Sequence, residues 1–143
     1  MISGIQSIPL VTTGLQFNPS VEFPSSVTAG NLIVVQGIHP VQADPQPIIF
    51  LNDSQGNPYF QFGATLNSGV GYMTWLFYGQ ASGTGDLTVT VNYTVQVTDP
   101  IIEITEYNSD SGFGTQLLND GYNMESNMFF FTHTENTTVK IPE

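Results

Sequence analysis

The chain has 143 residues, of which 40% are hydrophobic, and this length suits one domain with a buried core. It carries twelve acidic residues and a single basic one, for a formal net charge of -11, and so it lacks the lysines and arginines that hold nucleic-acid phosphates or anionic membrane surfaces. The absence of Cys excludes a disulfide scaffold, a thiolate zinc site and a cysteine nucleophile.

The N-terminal segment, Met1 to Leu10, has neither a basic region nor an uninterrupted apolar stretch, so we do not interpret it as a secretory signal. No run reaches the length of about 18 apolar residues needed to span a bilayer. Period-two alternation of apolar and polar residues dominates the rest of the chain, which predicts an all-β fold.

The first predicted strand covers residues 15–23, where Pro19 favours a sheet edge or a bulge. The continuous apolar run 32–35 predicts a strand covered on both faces. Residues 37–46 contain two prolines and predict a loop, which would hold His39.

Further strands follow in a regular series separated by turns at 53–57 and 82–86. They are predicted at residues 48–51, 59–65, 72–78, 87–94, 101–107, 129–132 and 137–141. Eight to ten short strands of this kind predict a two-sheet antiparallel β-sandwich, either jelly roll or immunoglobulin-like. We expect one domain over residues 1–143, with a long Gly-, Asn- and Ser-rich loop at 108–127.

Catalysis is not expected. The two histidines, His39 and His133, have no Gly-x-Ser-x-Gly motif beside them. Glu103 and Glu106 lie on one predicted strand but point to opposite faces because their separation is odd. Glu106 shares its face with apolar residues, so it would either accept backbone hydrogen bonds or have a raised pKa, and a structural role is favoured over a catalytic one.

No cofactor is required by the sequence, and calcium is the one ion with candidate ligands. Asp53 and Asn57 lie in one predicted turn, and Asp99 follows a strand. Carboxylate and amide oxygens suit calcium, although turns favour the same residues without any ion.

One candidate binding surface lies on the aromatic strand 72–78. Tyr72, Thr74 and Tyr78 share one face, and if half exposed they would stack on a sugar ring or a partner protein. The default interpretation is that this face also packs in the core. Trp75 points to the opposite face and is assigned to the core.

A second candidate surface lies towards the C-terminus. It would combine Phe113 and Tyr122 of the long loop with Phe129 and Phe131 of a terminal strand. Apolar residues on both faces of a terminal strand favour burial against another chain.

Three segments carry a family resemblance: FPSSVTAGNLIVV at 23–35, NDSQGNPY at 52–59 and ITEY at 104–107. Together they resemble β-sandwich modules of secreted bacterial proteins, some of them carbohydrate-binding, and of phage structural proteins. The resemblance covers residues 15–108. It implies a sandwich fold and a surface-exposed setting, and it carries over no catalytic residue.

Two non-enzymatic functions remain open. The favoured one is an accessory subunit of a virion surface (capsid decoration, cement or fibre) that works through protein contacts, as a homo-oligomer or with capsid or tail proteins. The alternative is a secreted carbohydrate-binding module that recognises a polysaccharide. The expected location is the virion surface or the extracellular space, with no nucleic-acid or membrane partner.

Overall fold

The computed structural model describes residues 2–42, 45–63, 65–67 and 71–109. These residues form strands and connecting turns, without a helix. The strands are β1 (Ile2–Val11), β2 (Leu15–Gln16), β3 (Ser20–Glu22), β4 (Leu32–Pro40), β5 (Ile49–Asp53), β6 (Tyr59–Gln61), β7 (Leu66–Asn67), β8 (Tyr72–Gln80), β9 (Thr88–Tyr93), β10 (Val97–Thr98) and β11 (Ile101–Ser109).

The strands pair into antiparallel sheets, which confirms the all-β class. A six-stranded large sheet has the order β1-β11-β4-β8-β6, with β7 also paired to β8. A three-stranded small sheet has the order β3-β9-β5, and β10 pairs with β2. The chain passes repeatedly from one sheet to another. Neighbouring strands of the large sheet, such as β11 and β4, are therefore distant in sequence.

The large and small sheets share one hydrophobic core, as the two layers of a sandwich do. Alternate side chains of each strand point into it, and we call this side of each sheet its inner face. The core includes Ile33, Val35, Trp75, Phe77, Ile102 and Ile104 from the large sheet and Val21, Ile49, Val89, Val91 and Tyr93 from the small sheet.

Strand β9 shows how the alternation in the sequence gives one buried face and one partly exposed face. Val89 and Val91 are fully buried and Tyr93 nearly so, whereas Thr88 and Thr90 between them are partly exposed. The predicted one-sided strand is therefore confirmed. β-Branched residues suit it because they pack well on a pleated surface.

Strand β4 is covered on both faces along the predicted run, because residues 32–35 are all buried. The predicted loop at 37–46 is wrong for its first part, since β4 continues to Pro40. His39 is therefore a strand residue with 1% of its surface exposed, and not a loop residue. Proline, which lacks an N–H donor, stands at the end of the strand where it interrupts least.

The single strand predicted at 15–23 is divided into β2 and β3. Pro19 and Val21 are buried as the alternation predicts, but Leu15 and Phe17 are exposed. β3 is an edge strand of the small sheet, as Pro19 predicted. Pro19 immediately precedes β3. Its carbonyl nevertheless accepts a hydrogen bond from the N–H of Val91, so the chain still pairs with β9 at this residue.

Strand β11 reaches Ser109, so the predicted long loop does not begin at residue 108. The rest of that loop, and the strands predicted at 129–132 and 137–141, lie outside the described residues. β1, which pairs with β11 along nearly its whole length, was not predicted from the alternation.

Candidate functional sites

The tyrosine face predicted on β8 is divided by the fold. Tyr72 is 46% exposed, whereas Tyr78, at the other end of the same face, is 7% exposed. Six residues of strand separate the two rings by about 20 Å. The burial of Tyr78 agrees with the interpretation that this part of the face packs inside the protein, and the two tyrosines do not form one continuous platform.

Tyr78 is buried because it lies in a small aromatic cluster on the outer face of the large sheet. Its ring centroid lies 5.8 Å from that of Phe60 and 5.6 Å from that of Phe62, the latter edge to face. Phe60 is 50% exposed, so this cluster presents a phenylalanine to solvent. Thr74 is half-buried between the two ends.

The second predicted surface, formed by Phe113, Tyr122, Phe129 and Phe131, lies outside the described residues. It stays a prediction.

Asp53 is the centre of the first predicted calcium cluster. Its Oδ1 accepts the N–H groups of Gln55 at 2.9 Å and Asn57 at 3.0 Å. Its Oδ2 accepts Asn57 Nδ2 at 2.8 Å and the hydroxyl of Tyr59 at 2.7 Å. These bonds occupy the roughly four lone-pair positions of a carboxylate. Burial raises the pKa of the Tyr59 hydroxyl, and its hydrogen bond to Asp53 raises it further.

The Asp53 turn is joined to the turn at residues 82–85. Asn57 Oδ1 accepts the N–H of Ser82 at 3.1 Å. Gln55 donates to the carbonyl of Gly83 at 3.0 Å and accepts its N–H at 3.2 Å. Asn57, one of the residues proposed as calcium ligands, and Gln55 thus hold the two turns together.

Asp99, the third residue of the calcium prediction, lies in a different turn. It has a positive φ of 48° and accepts a hydrogen bond from the N–H of Gly14. Within the described part of the chain, no three His, Cys, Asp or Glu side chains come together as a metal site. The structure brings Asp53 and Asn57 together and places Asp99 with other partners.

Glu106 forms a second polar centre, on the inner face of β11. It is 1% exposed and accepts three hydrogen bonds. The donors are Gln6 Nε2 at 2.7 Å, the N–H of Thr28 at 2.8 Å and Asn31 Nδ2 at 2.7 Å. The expectation of backbone hydrogen bonding to this carboxylate is confirmed by the N–H of Thr28, and the other two donors are side chains.

The donors to Glu106 come from separate parts of the chain, β1 and the turn before β4. Gln6 also exchanges hydrogen bonds with Ser25 in that turn. Glu106 therefore joins the edge strand β1 and the turn before β4 to β11. Glu103, on the outer face, accepts only Gln36 Nε2 among the contacts that the structure gives, at 3.0 Å.

His39 forms a third polar centre, which the sequence reasoning missed. It packs edge to face on Tyr93 with ring centroids 5.7 Å apart, and Trp75 packs on Tyr93 at 6.4 Å. Burial lowers the pKa of His39 and raises that of Tyr93. The signal was available, because His39 continues the alternation of the buried residues Ile33 and Val35 along β4.

Exposed apolar residues gather at one end of the described structure. Val11 and Ile101 are directly opposite each other on β1 and β11, and they are 69% and 42% exposed. Leu15, which pairs with Thr98, and Phe17 are 59% and 49% exposed. Hydrogen bonds from Thr12 to the Pro100 carbonyl and from Asp99 to the Gly14 carbonyl hold these segments together. We call Val11, Leu15, Phe17 and Ile101 the apolar end.

Comparison with known proteins gives no relative. No protein-family model matches the chain, and neither the curated proteins nor the solved structures contain a significant match. Within the described residues, no helix is long and apolar enough to cross a membrane.

Proposed function

We propose that this protein is a non-catalytic structural subunit that works through protein–protein contacts, as an accessory component of a virion surface such as a capsid decoration, cement or fibre protein. We further propose that the complete chain is one sandwich domain of the jelly-roll or immunoglobulin-like kind. Such folds serve structural and binding roles alike, so the exposed surfaces indicate the function and the fold does not.

The observation that carries this proposal is the apolar end. Its four side chains are between 42% and 69% exposed. Apolar residues gathered on the surface of a soluble domain are typical of protein interaction sites. With one basic residue in the chain, contacts through apolar and neutral polar groups are the most available means of association.

The carboxylates support the non-catalytic part of the proposal. Asp53, Asp99 and Glu106 accept hydrogen bonds that hold turns or strands in place. A glycosidase needs two carboxylates that face each other across a cleft, and these three have separate structural partners instead.

Sedimentation velocity of the full chain tests the proposal. We expect an oligomer whose association is lost when Val11 and Ile101 are both changed to Ser. The matched control is the double change of Ile48 and Phe50 to Ser, since these residues are 70% and 54% exposed but lie on or beside β5 of the small sheet. The control should associate like the unmodified protein.

A co-sedimentation assay with purified virus particles tests the virion assignment. Binding that requires Val11 and Ile101 supports it. A chain that stays monomeric at high concentration and does not bind particles contradicts it.

The polysaccharide-binding alternative retains one favourable observation, the exposed ring of Tyr72. Retention on an insoluble polysaccharide that is lost in a folded Tyr72→Ala variant would establish this alternative in place of the virion function. The control is Tyr78→Phe, because the Tyr78 side chain is 7% exposed.

A further inference from the structure

The core between the two sheets contains buried polar atoms that the described part of the protein does not satisfy. Among the described residues, no hydrogen-bond partner is within reach of the two ring nitrogens of His39, Nε1 of Trp75 or the hydroxyl of Tyr93. The three residues are 1%, 1% and 4% exposed. Buried polar atoms in folded proteins are nearly always paired with protein atoms or with ordered water.

These atoms belong to one cluster that spans the sandwich. His39 and Trp75 lie on the neighbouring strands β4 and β8 of the large sheet, and Tyr93 lies on β9 of the small sheet. The rings of His39 and Trp75 both meet the Tyr93 ring edge to face, at interplanar angles of 83° and 72°. The unpartnered atoms are thus carried by three side chains, of which His39 and Trp75 each pack on Tyr93.

The chemistry of the cluster selects a neutral partner that both donates and accepts hydrogen bonds. A neutral imidazole has one donor and one acceptor nitrogen, an indole has one donor, and a phenol serves as either. Burial keeps His39 neutral by lowering its pKa. A metal ion is disfavoured because imidazole is the only good metal ligand of the three groups.

Close packing limits the size of that partner. A Cβ placed on Gly37 would lie 2.0 Å from Cζ2 of Trp75, so the indole lies directly against the backbone of β4. Atoms packed this closely leave room for very small molecules only, and water is the smallest that both donates and accepts.

We propose that His39, Trp75 and Tyr93 form an internal water-binding site that joins the two sheets. The site is independent of the proposed virion function, since its three residues are buried and do not belong to the apolar end. Water held there links side chains of β4 and β8 to a side chain of β9.

The test uses the single tryptophan of the chain, which gives one indole Nε1–H signal in the nuclear magnetic resonance spectrum of the full protein. We expect a cross peak between that proton and water with the sign of a long-lived complex. The cross peak should persist in Tyr93→Phe, which removes the hydroxyl as a relay for proton exchange, because His39 and Trp75 still hold the water. It should be lost in the double variant His39→Leu with Tyr93→Phe.

Absence of the cross peak in the unmodified protein overturns the proposal. Its disappearance in folded Tyr93→Phe also does, because the signal then came from the hydroxyl and not from water. Tyr59→Phe is the matched control, since it removes a largely buried hydroxyl that already has a protein partner, Asp53, and should leave the cross peak unchanged. If the double variant does not fold, the unmodified protein and Tyr93→Phe still decide between the outcomes.

Discussion

Glu106 and His39 are buried to the same extent, each 1% exposed, but the protein treats them in opposite ways. Glu106 lies opposite Ile33 near the start of β4, and His39 lies six residues further along β4, about 20 Å away. Three protein donors surround the Glu106 carboxylate, whereas no described protein atom bonds the imidazole of His39. Depth of burial therefore does not reveal what a polar residue does, and the identity of its partners does.

The surroundings explain the difference. At Glu106, a turn and an edge strand must be fastened, and the turn supplies backbone N–H groups that need an acceptor. At His39, the neighbours are strand residues whose backbone groups already bond within the sheets. Only side chains remain to contact the imidazole, and one of them is the aromatic ring of Tyr93.

The largest loss of stability is expected from Gly37→Ala, a substitution beside the His39 cluster. The added Cβ would lie 2.0 Å from Cζ2 of Trp75, so the indole, which is itself buried, would have to shift. We expect a loss of about 3 kcal/mol in the free energy of unfolding, measured by urea denaturation. Gly83→Ala is the control, because its Cβ would meet no atom within 4 Å. Equal losses in the two variants would contradict the packing argument.

Glu106→Gln should give the next largest loss of stability, because the Glu106 carboxylate accepts three hydrogen bonds. The substitution replaces one acceptor oxygen by an NH2 group that faces donors, so at least one buried donor loses its partner. We expect a loss of about 2 kcal/mol in the free energy of unfolding. Glu103→Gln makes the same change on the same strand at a part-buried position and should cost about 0.5 kcal/mol or less. A Glu103→Gln variant as unstable as Glu106→Gln would show that Glu106 is not a special anchor.

The buried His39 side chain should make the stability of the protein depend on pH. Burial holds the pKa of His39 below its ordinary value of 6.5, so the unfolded chain takes up a proton before the folded chain does. The free energy of unfolding should therefore fall as the pH decreases through 6.5, by at most about 1.4 kcal/mol per pH unit, and level off below the folded-state pKa. Denaturation curves between about pH 7.5 and about pH 5.5 measure this, a range above the titration of ordinary carboxylates. His39→Leu should remove this slope, and an unchanged slope would assign it to another group.

The smallest effect is expected from calcium. Asp53 already accepts four hydrogen bonds, so we expect the same melting temperature in calcium and in a chelator. A calcium-dependent rise in melting temperature that is absent in Asp53→Asn would contradict this and support the calcium site predicted from the sequence.

Local pattern alone was sufficient for several elements. The alternation from Leu87 to Tyr93 specifies which residues of β9 are buried, because side chains of a strand point alternately to its two faces. The same rule placed Trp75 in the core and Glu106 beside the apolar residues of β11. The apolar run before Gln36 indicated a strand covered on both faces.

Tertiary structure decided the rest, because alternation defines two faces but not what covers them. Tyr72 and Tyr78 share a face in the sequence, yet Phe60 and Phe62 cover only the second. The prolines near His39 predicted a loop, but pairing of β4 with β8 carries the strand through that position.

The hydrogen-bond partners of Asp53 and Glu106 illustrate the same division at a finer level. Asp53 is satisfied mostly by its own turn, so the sequence could place Asp53 beside Asn57. The donors to Glu106 lie 75 or more residues away along the chain, and they become neighbours only when the sheet forms. The sequence by itself thus determined the all-β class, the faces of its strands and the contacts within turns. The tertiary structure alone decided which polar residues are paired inside the sandwich, because those contacts depend on strand order, which alternation does not encode.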